Sequence, residues 1–219
     1  MMNDIGKLLY QVVPKNMSFE SALLSQDLHF DKKNTSQVEN SRQKESLLAH
    51  QCARKALAKL GNEVDSITKG IAGNPLWPEG FTGSISHSKG FCMAVVGRDE
   101  NYRSIGLDIE LNGRIKPAAI ERITHLIEKE FIGDDAVKGT LLFSLKEAFY
   151  KAQFALFEEP LGFKDVAFSI DEATNSASLV WVSDKLPIKP AQYNQWEFVY
   201  KSIGTHTVVV CWLKNKTNN

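Results

Sequence analysis

Few cysteines, no surplus of either charge and no long apolar run each remove a class of protein. Cys52, Cys92 and Cys211 are odd in number and far apart, which excludes a disulfide framework and a zinc-ligand cluster. They are expected to be reduced, buried thiols. Lysine plus arginine (26) equals aspartate plus glutamate (26), so no global field draws the chain to nucleic acid or an anionic membrane. Any phosphate it binds must be met locally. The longest apolar runs, such as Thr207 to Leu213, fall far short of the ~20 residues of a membrane helix. The N-terminus lacks a basic start, an apolar stretch and a small-residue cleavage site in that order, and the expected compartment is the cytoplasm.

The chain has 219 residues, 43% of them hydrophobic and 24% charged, which suits one large globular domain or two small ones. Spacing predicts a helix from about Ser36 to Leu60, with Leu47, Leu48, Cys52, Ala56, Leu57 and Leu60 on its apolar face and Gly61 as a stop. Lys69 to Gly83 is too rich in glycine and proline for either regular element, and Trp77 favours an ordered loop. Strands are expected at Phe81 to Ser86, Phe91 to Gly97 and Ser104 to Glu110. A helix opened by Pro117 should put Ile120, Ile123, Ile127 and Phe131 on one face and close at Gly133. Another should run from about Thr140 to Phe157. Strands then follow at Val166 to Ile170, Leu179 to Ser183, Trp196 to Tyr200 and Thr207 to Leu213. This order suggests an α+β fold of two comparable halves, residues 1–112 and 113–219, joined near Glu110 to Pro117.

In Gly106-Leu107-Asp108-Ile109-Glu110 the two carboxylates share one strand face. On a solvated strand that would mean little. On the helix around Phe143 to Ala152, however, Ser144, Glu147 and Lys151 fall together opposite Leu145, Phe149 and Leu156. The plain alternative is an exposed Glu-to-Lys pair four residues apart, worth only ~0.2–0.5 kcal/mol. Should Glu147 face Asp108 and Glu110, each like-charge pair ~4 Å apart would cost about 4 kcal/mol at an effective dielectric of ~20. Such a cluster needs a cation. Its all-oxygen donors suit Mg²⁺, which binds carboxylates together with waters and substrate phosphates. Ser86 and His87, in the hydroxyl-rich turn Gly83 to Ser88, can donate to phosphate oxygens. Lys69, Arg42 and Arg54 are further candidate donors.

Together, Cys52-Ala53-Arg54-Lys55-Ala56-Leu57, Lys69-Gly70, Gly73-Asn74-Pro75-Leu76-Trp77-Pro78-Glu79-Gly80, Gly83-Ser84-Ile85-Ser86-His87, Gly106 to Glu110 and Phe143 to Ala152 resemble 4′-phosphopantetheinyl transferases. The likeness is greatest to the siderophore-pathway, enterobactin synthase component D-like type, and it covers roughly residues 40 to 155. It implies a pseudo-twofold α+β monomer that moves phosphopantetheine from coenzyme A to a serine of an apo acyl, aryl or peptidyl carrier protein, releasing 3′,5′-ADP. By motif, Asp108, Glu110 and Glu147 correspond to Mg²⁺ ligands, and Glu147 and Lys151 to catalytic groups. Arg42, Arg54, Lys69, Ser86, His87, Lys146 and Lys151 correspond to contacts with coenzyme A. His50, Asn74 and Phe143 depart from residues found in some members. Two rival readings stand beside this one: a Mg²⁺-dependent phosphohydrolase or nuclease using the same carboxylates on water, and a non-catalytic module that binds coenzyme A or carrier protein.

Overall fold

The computed structural model describes residues 2–24 and 35–215, with side chains placed for 5–24 and 41–215. In chain order the elements are α1 (Met2–Leu9), β1 (Ser18–Leu23), α2 (Thr35–Lys59), β2 (Thr68–Lys69), β3 (Pro75–Leu76), β4 (Phe81–Ser88), β5 (Phe91–Arg98) and β6 (Tyr102–Leu111). There follow α3 (Pro117–Ile123), α4 (Lys129–Ile132), α5 (Ala136–Phe157), β7 (Val166–Asp171), β8 (Ser176–Val182), β9 (Trp196–Ile203) and β10 (His206–Lys214). None of the described helices is long and apolar enough to cross a membrane.

Two antiparallel sheets carry the architecture, in strand order β1-β5-β4 and β6-β10-β9-β8-β7. Each is covered by one long helix, α2 over the first and α5 over the second. The fold is therefore α+β, as expected. On α2 the buried line is Ala49, Cys52, Ala53, Ala56 and Leu57, the spacing of one helical face. Leu47, expected on that face, is exposed. Gly61 ends the helix region at φ +83°, a conformation that excludes most side chains. Residues 68–76 form a minimal antiparallel pair, Thr68 opposite Leu76 and Lys69 opposite Pro75, so the Gly/Pro segment is an ordered loop.

β5 is buried from Phe91 to Gly97, because both its faces are covered. Ala94 and Val96 meet α2, while Phe91, Met93 and Val95 join Ile105, Leu107, Ile109, Val208, Val210 and Trp212 between the two sheets. On β10 the alternate residues Val209, Cys211 and Leu213 turn to a separate core beneath α5, with Leu142, Leu145, Phe149, Phe168 and Phe198. The layers run α2, first sheet, second sheet, α5. All three cysteines are free and buried, and burial pushes the Cys52 thiol up to about 11 and Cys92 up to about 12.

Three expectations change. β6 hydrogen-bonds along its whole length to β10, so the strand carrying Asp108 and Glu110 joins the sheet of the second half and not that of residues 1–98. The helix expected from Pro117 to Gly133 is broken. Thr124 turns both its N–H and its hydroxyl back to the Ile120 carbonyl, and a 3₁₀ turn at Leu126–Glu128 then directs Glu128 inward while Ile127 is left exposed. Finally, α1 and β1 have no counterpart in the sequence reading; β1 pairs with β5 from Ser18–Val96 to Leu23–Phe91.

Candidate active site

Gly106 lets β6 and α5 approach closely: a Cβ there would run into the Ala148 carbonyl of the helix. Next along β6, the Ser104 hydroxyl donates to the Ala152 carbonyl at 2.5 Å. This contact line brings Lys151 onto β6, where its ammonium donates to Asp108 Oδ1 and to the Leu107 carbonyl, both at 2.8 Å. A third contact, 3.2 Å long, goes to Ser86 Oγ on β4.

β4 runs beside β6 in the same direction, so residues two apart on one strand meet residues two apart on the other. The Ser86 hydroxyl donates to Asp108 Oδ1 at 3.3 Å and accepts the Ile109 N–H at 3.2 Å. The Ser88 hydroxyl donates to Glu110 Oε2 at 3.0 Å. Glu110 Oε1 pairs with the Arg114 guanidinium, which also lies 5.6 Å over the Phe143 ring. Asp108 and Glu110 are thus buried, not on a solvated strand face. Glu147, half-buried on α5, has its carboxyl raised above the ordinary glutamate value, first by burial and then by the Asp108 charge, with Lys151 and Arg114 pulling the other way. The three acids therefore do not form an unpaired repelling triad: each of Asp108 and Glu110 has a cationic partner. Among the described residues no group of three or more His, Cys, Asp or Glu forms a ready metal cage. Of the Asp108 and Glu110 carboxylate oxygens, Asp108 Oδ2 is buried and makes no hydrogen bond. A hard divalent ion that takes one or two carboxylates and completes its shell with water and phosphate fits this oxygen, with Glu147 adjacent.

His87 points to the other side of β4, toward α2. There Nδ1 lies 3.0 Å from Glu45 Oε2. His50 is nearby; its imidazole is pushed below the ordinary value by burial, then by the positive charges of Lys69 and His87. His50, Lys69 and His87 thus share one electropositive corner, with Arg42 exposed on α2 three residues before Glu45. Arg54 is drawn elsewhere: it donates to the Asp65 carbonyl at 2.7 Å and lines a shallow hollow with Gln51, Lys55 and Glu63.

Lys146 requires a correction. Its side chain is 2% exposed, and the ammonium donates to Glu128 Oε2 and to the carbonyls of Ile123, Phe163 and Val166 at 2.7 to 3.0 Å. No donor is left for a substrate, so the expected contact with coenzyme A is withdrawn.

Two hollows flank this stretch of α5, with Tyr150 lining both. One, beside Glu147, is walled by Phe149, Leu161, Phe163 and Val166. The other, beside Lys151, is walled by Asn74, Trp77, Ser84 and Phe154.

Four residues went unread in the sequence: Glu45, Ser88, Arg114 and His206. Ser88 had a usable signal, since Ser86-x-Ser88 has the period of Asp108-x-Glu110. Arg114 lies only four residues after its partner Glu110, whereas Glu45 and His206 had no signal, because their partners are set by tertiary contact. His206, for example, lies 118 residues from Ser88, whose carbonyl is 3.0 Å from its Nε2.

Two family models match the chain: "4′-phosphopantetheinyl transferase N-terminal domain" over residues 31–97 and "4′-phosphopantetheinyl transferase superfamily" over residues 104–211. Their boundary coincides with the change of sheet before β6. Similar proteins include the 4′-phosphopantetheinyl transferase Npt of Nocardia iowensis, 36% identical over 61% of this chain and 62% of that protein. The 4′-phosphopantetheinyl transferase PptT of Mycobacterium tuberculosis is 35% identical over 59% of each chain. Enterobactin synthase component D of Salmonella typhimurium is 36% identical over a shorter stretch, 36% of this chain and 34% of that one. The matches to Npt and PptT thus span about six-tenths of those relatives' lengths.

Proposed function

The chain belongs to the 4′-phosphopantetheinyl transferase superfamily, and from that premise we propose that it transfers phosphopantetheine from coenzyme A to a serine hydroxyl of an apo carrier protein. The observation that carries the reading is the meeting of Ser86, Asp108 and Lys151 where the two sheets join, with a raised Glu147 carboxyl beside them. Transfer of a phosphate-linked group uses these parts: a carboxylate base raised above its ordinary value, fixed positive charge and an anionic anchor for a cation.

In the proposed reaction the serine oxygen attacks the pantetheine-bearing phosphorus, the bond from that phosphorus to the bridging oxygen breaks, and 3′,5′-ADP departs. Glu147 takes the serine proton. Its raised carboxyl makes it a better acceptor than an ordinary glutamate, provided the pH lies above that raised value. Lys151, locked by Leu107 and Asp108, holds positive charge where the leaving phosphate gains negative charge. Asp108 Oδ2, with Glu147 and Glu110 nearby, would hold Mg²⁺, which when bound supplies charge neutralisation at the pyrophosphate. His87, Lys69, His50 and Arg42 would receive the nucleotide's phosphates, and the apolar walls of the hollow beside Glu147 suit the pantetheine arm. The shorter match to enterobactin synthase component D supports a carrier of the siderophore or nonribosomal peptide class.

One assay separates the rival readings. The protein is incubated with coenzyme A, Mg²⁺ and an apo carrier protein, and the carrier is weighed. A gain of one phosphopantetheine, abolished by chelation, is expected. Release of 3′,5′-ADP without a heavier carrier would mean hydrolysis instead, and binding with neither product would mean a non-catalytic module.

A further inference from the structure

An acidic side chain stands in the middle of the electropositive corner, where it would weaken any anion site unless its charge were already engaged. It is Glu45, on the inner side of α2 and 13% exposed. Both of its oxygens are in use. Oε2 meets His87 Nδ1 at 3.0 Å, and Oε1 accepts the Gly90 N–H at 2.8 Å. Its main-chain carbonyl accepts the Cys92 thiol at 3.4 Å. These contacts grip the β4–β5 turn, where Lys89 and Gly90 both have positive φ, 48° and 86°. That is the two-residue hairpin geometry whose first position is strained for lysine. From the far side, His206 Nε2 holds the Ser88 carbonyl at 3.0 Å.

We infer that Glu45 is a positioning residue: it clamps the tip of the β4–β5 hairpin and accepts hydrogen from His87 Nδ1, so that the imidazolium presents its second N–H, on Nε2, to the ligand's phosphate. The chemistry is restrictive. A carboxylate only accepts, so the His87 nitrogen facing it must be the one that carries hydrogen. The main-chain Gly90 N–H requires an acceptor too. The carboxylate serves both at once, one oxygen to each. The same grip sets Ser86 and Ser88, on the opposite side of β4, against Asp108 and Glu110. Glu45 therefore acts through His87 and the hairpin. The consequence for coenzyme A rests on the transferase reading; the consequence for the tautomer does not.

Long-range ¹⁵N–¹H correlation spectra of the ligand-free wild type, recorded at alkaline pH, read the tautomer directly. Hydrogen on His87 Nδ1 is expected, and hydrogen on Nε2 would overturn the inference. In Glu45→Gln the one amide oxygen can serve the Gly90 N–H, but the amide N–H then faces His87 Nδ1 and cannot take hydrogen from it, so the imidazolium loses its acceptor. A mixed tautomer is expected, with KM for coenzyme A up about ten-fold and kcat within about two-fold, the size of one lost hydrogen bond to a charged group. On a His87→Ala background, Glu45→Gln should add nothing to KM, because the amide oxygen still serves Gly90 and no imidazole is left to lose its acceptor. An equal penalty on both backgrounds would overturn the inference, as would a Glu45→Gln variant with wild-type tautomer and KM. Should wild type transfer nothing to any carrier, the transferase reading fails by itself, and calorimetric binding of coenzyme A replaces KM in the same comparison.

Discussion

Glu147 is the side chain whose surroundings most alter its chemistry. Burial lifts its carboxyl first, the Asp108 charge lifts it further, and Lys151 and Arg114 oppose both. A carboxyl held higher in the folded chain than in the unfolded one favours folding in its protonated form. That contribution is fully present below the unfolded glutamate value and is lost as pH rises through the folded one. Glu147→Gln copies the protonated state at every pH. In metal-free protein, its melting temperature should stay close to wild type near pH 4, exceed it by a margin that grows as pH rises through the raised folded value, and keep that margin above it. Parallel melting curves for the two proteins across that range would show that the site imposes no such cost on the carboxylate. With carrier and coenzyme A present, the same variant should lose most of its turnover, since the amide cannot take the serine proton.

At the scale of elements, the decisive contacts are those that fix α5. On one face of the helix Lys151 reaches β6; on another Lys146 reaches the end of α3, the 3₁₀ turns at residues 126–128 and 163–165, and β7. Glu128, its partner, also accepts the N–H groups of His125 and Phe168. Burial lowers the Lys146 ammonium and the Glu128 charge opposes that shift. Removing one member of a buried pair leaves the other uncompensated, at a typical cost of ~3–5 kcal/mol. Lys146→Met should therefore destabilise the fold by about that amount in urea denaturation, and adding Glu128→Gln should recover part of the loss. A Lys146→Met protein of wild-type stability but weakened coenzyme A binding would return Lys146 to the ligand site. Adjacent lysines in one motif, 146 and 151, thus have opposite tasks. Helical phase alone did not separate them, because α5 is covered on nearly every side and several of its polar residues are buried.

For the whole molecule, the site depends on two sheets meeting. Ser86, Ser88 and His87 belong to the first, Asp108 and Glu110 to the second, and Glu45 and His206 tie the hairpin tip to α2 and β10. A shared core of Phe91, Met93 and Val95 against Ile105, Leu107 and Val208 joins the same two layers. Unfolding should accordingly be cooperative across the junction. Hydrogen exchange should report one free energy for the slowest amides of β5 and β10, and a gap of several kcal/mol between them would mean that the halves open independently. Composition, hydrophobic period and turn residues by themselves determined the α+β class, the long helix over residues 36–60, most strands and the motifs that carry Asp108, Glu147 and Lys151. Such signals are local, set by side-chain direction over a few residues. Tertiary structure alone decided that β6 crosses into the second sheet, that Glu128 turns inward to Lys146, and that Glu45 and His206 belong to the site. Those outcomes depend on which buried polar group finds a partner from a distant part of the chain, and an unpartnered one is too costly to leave.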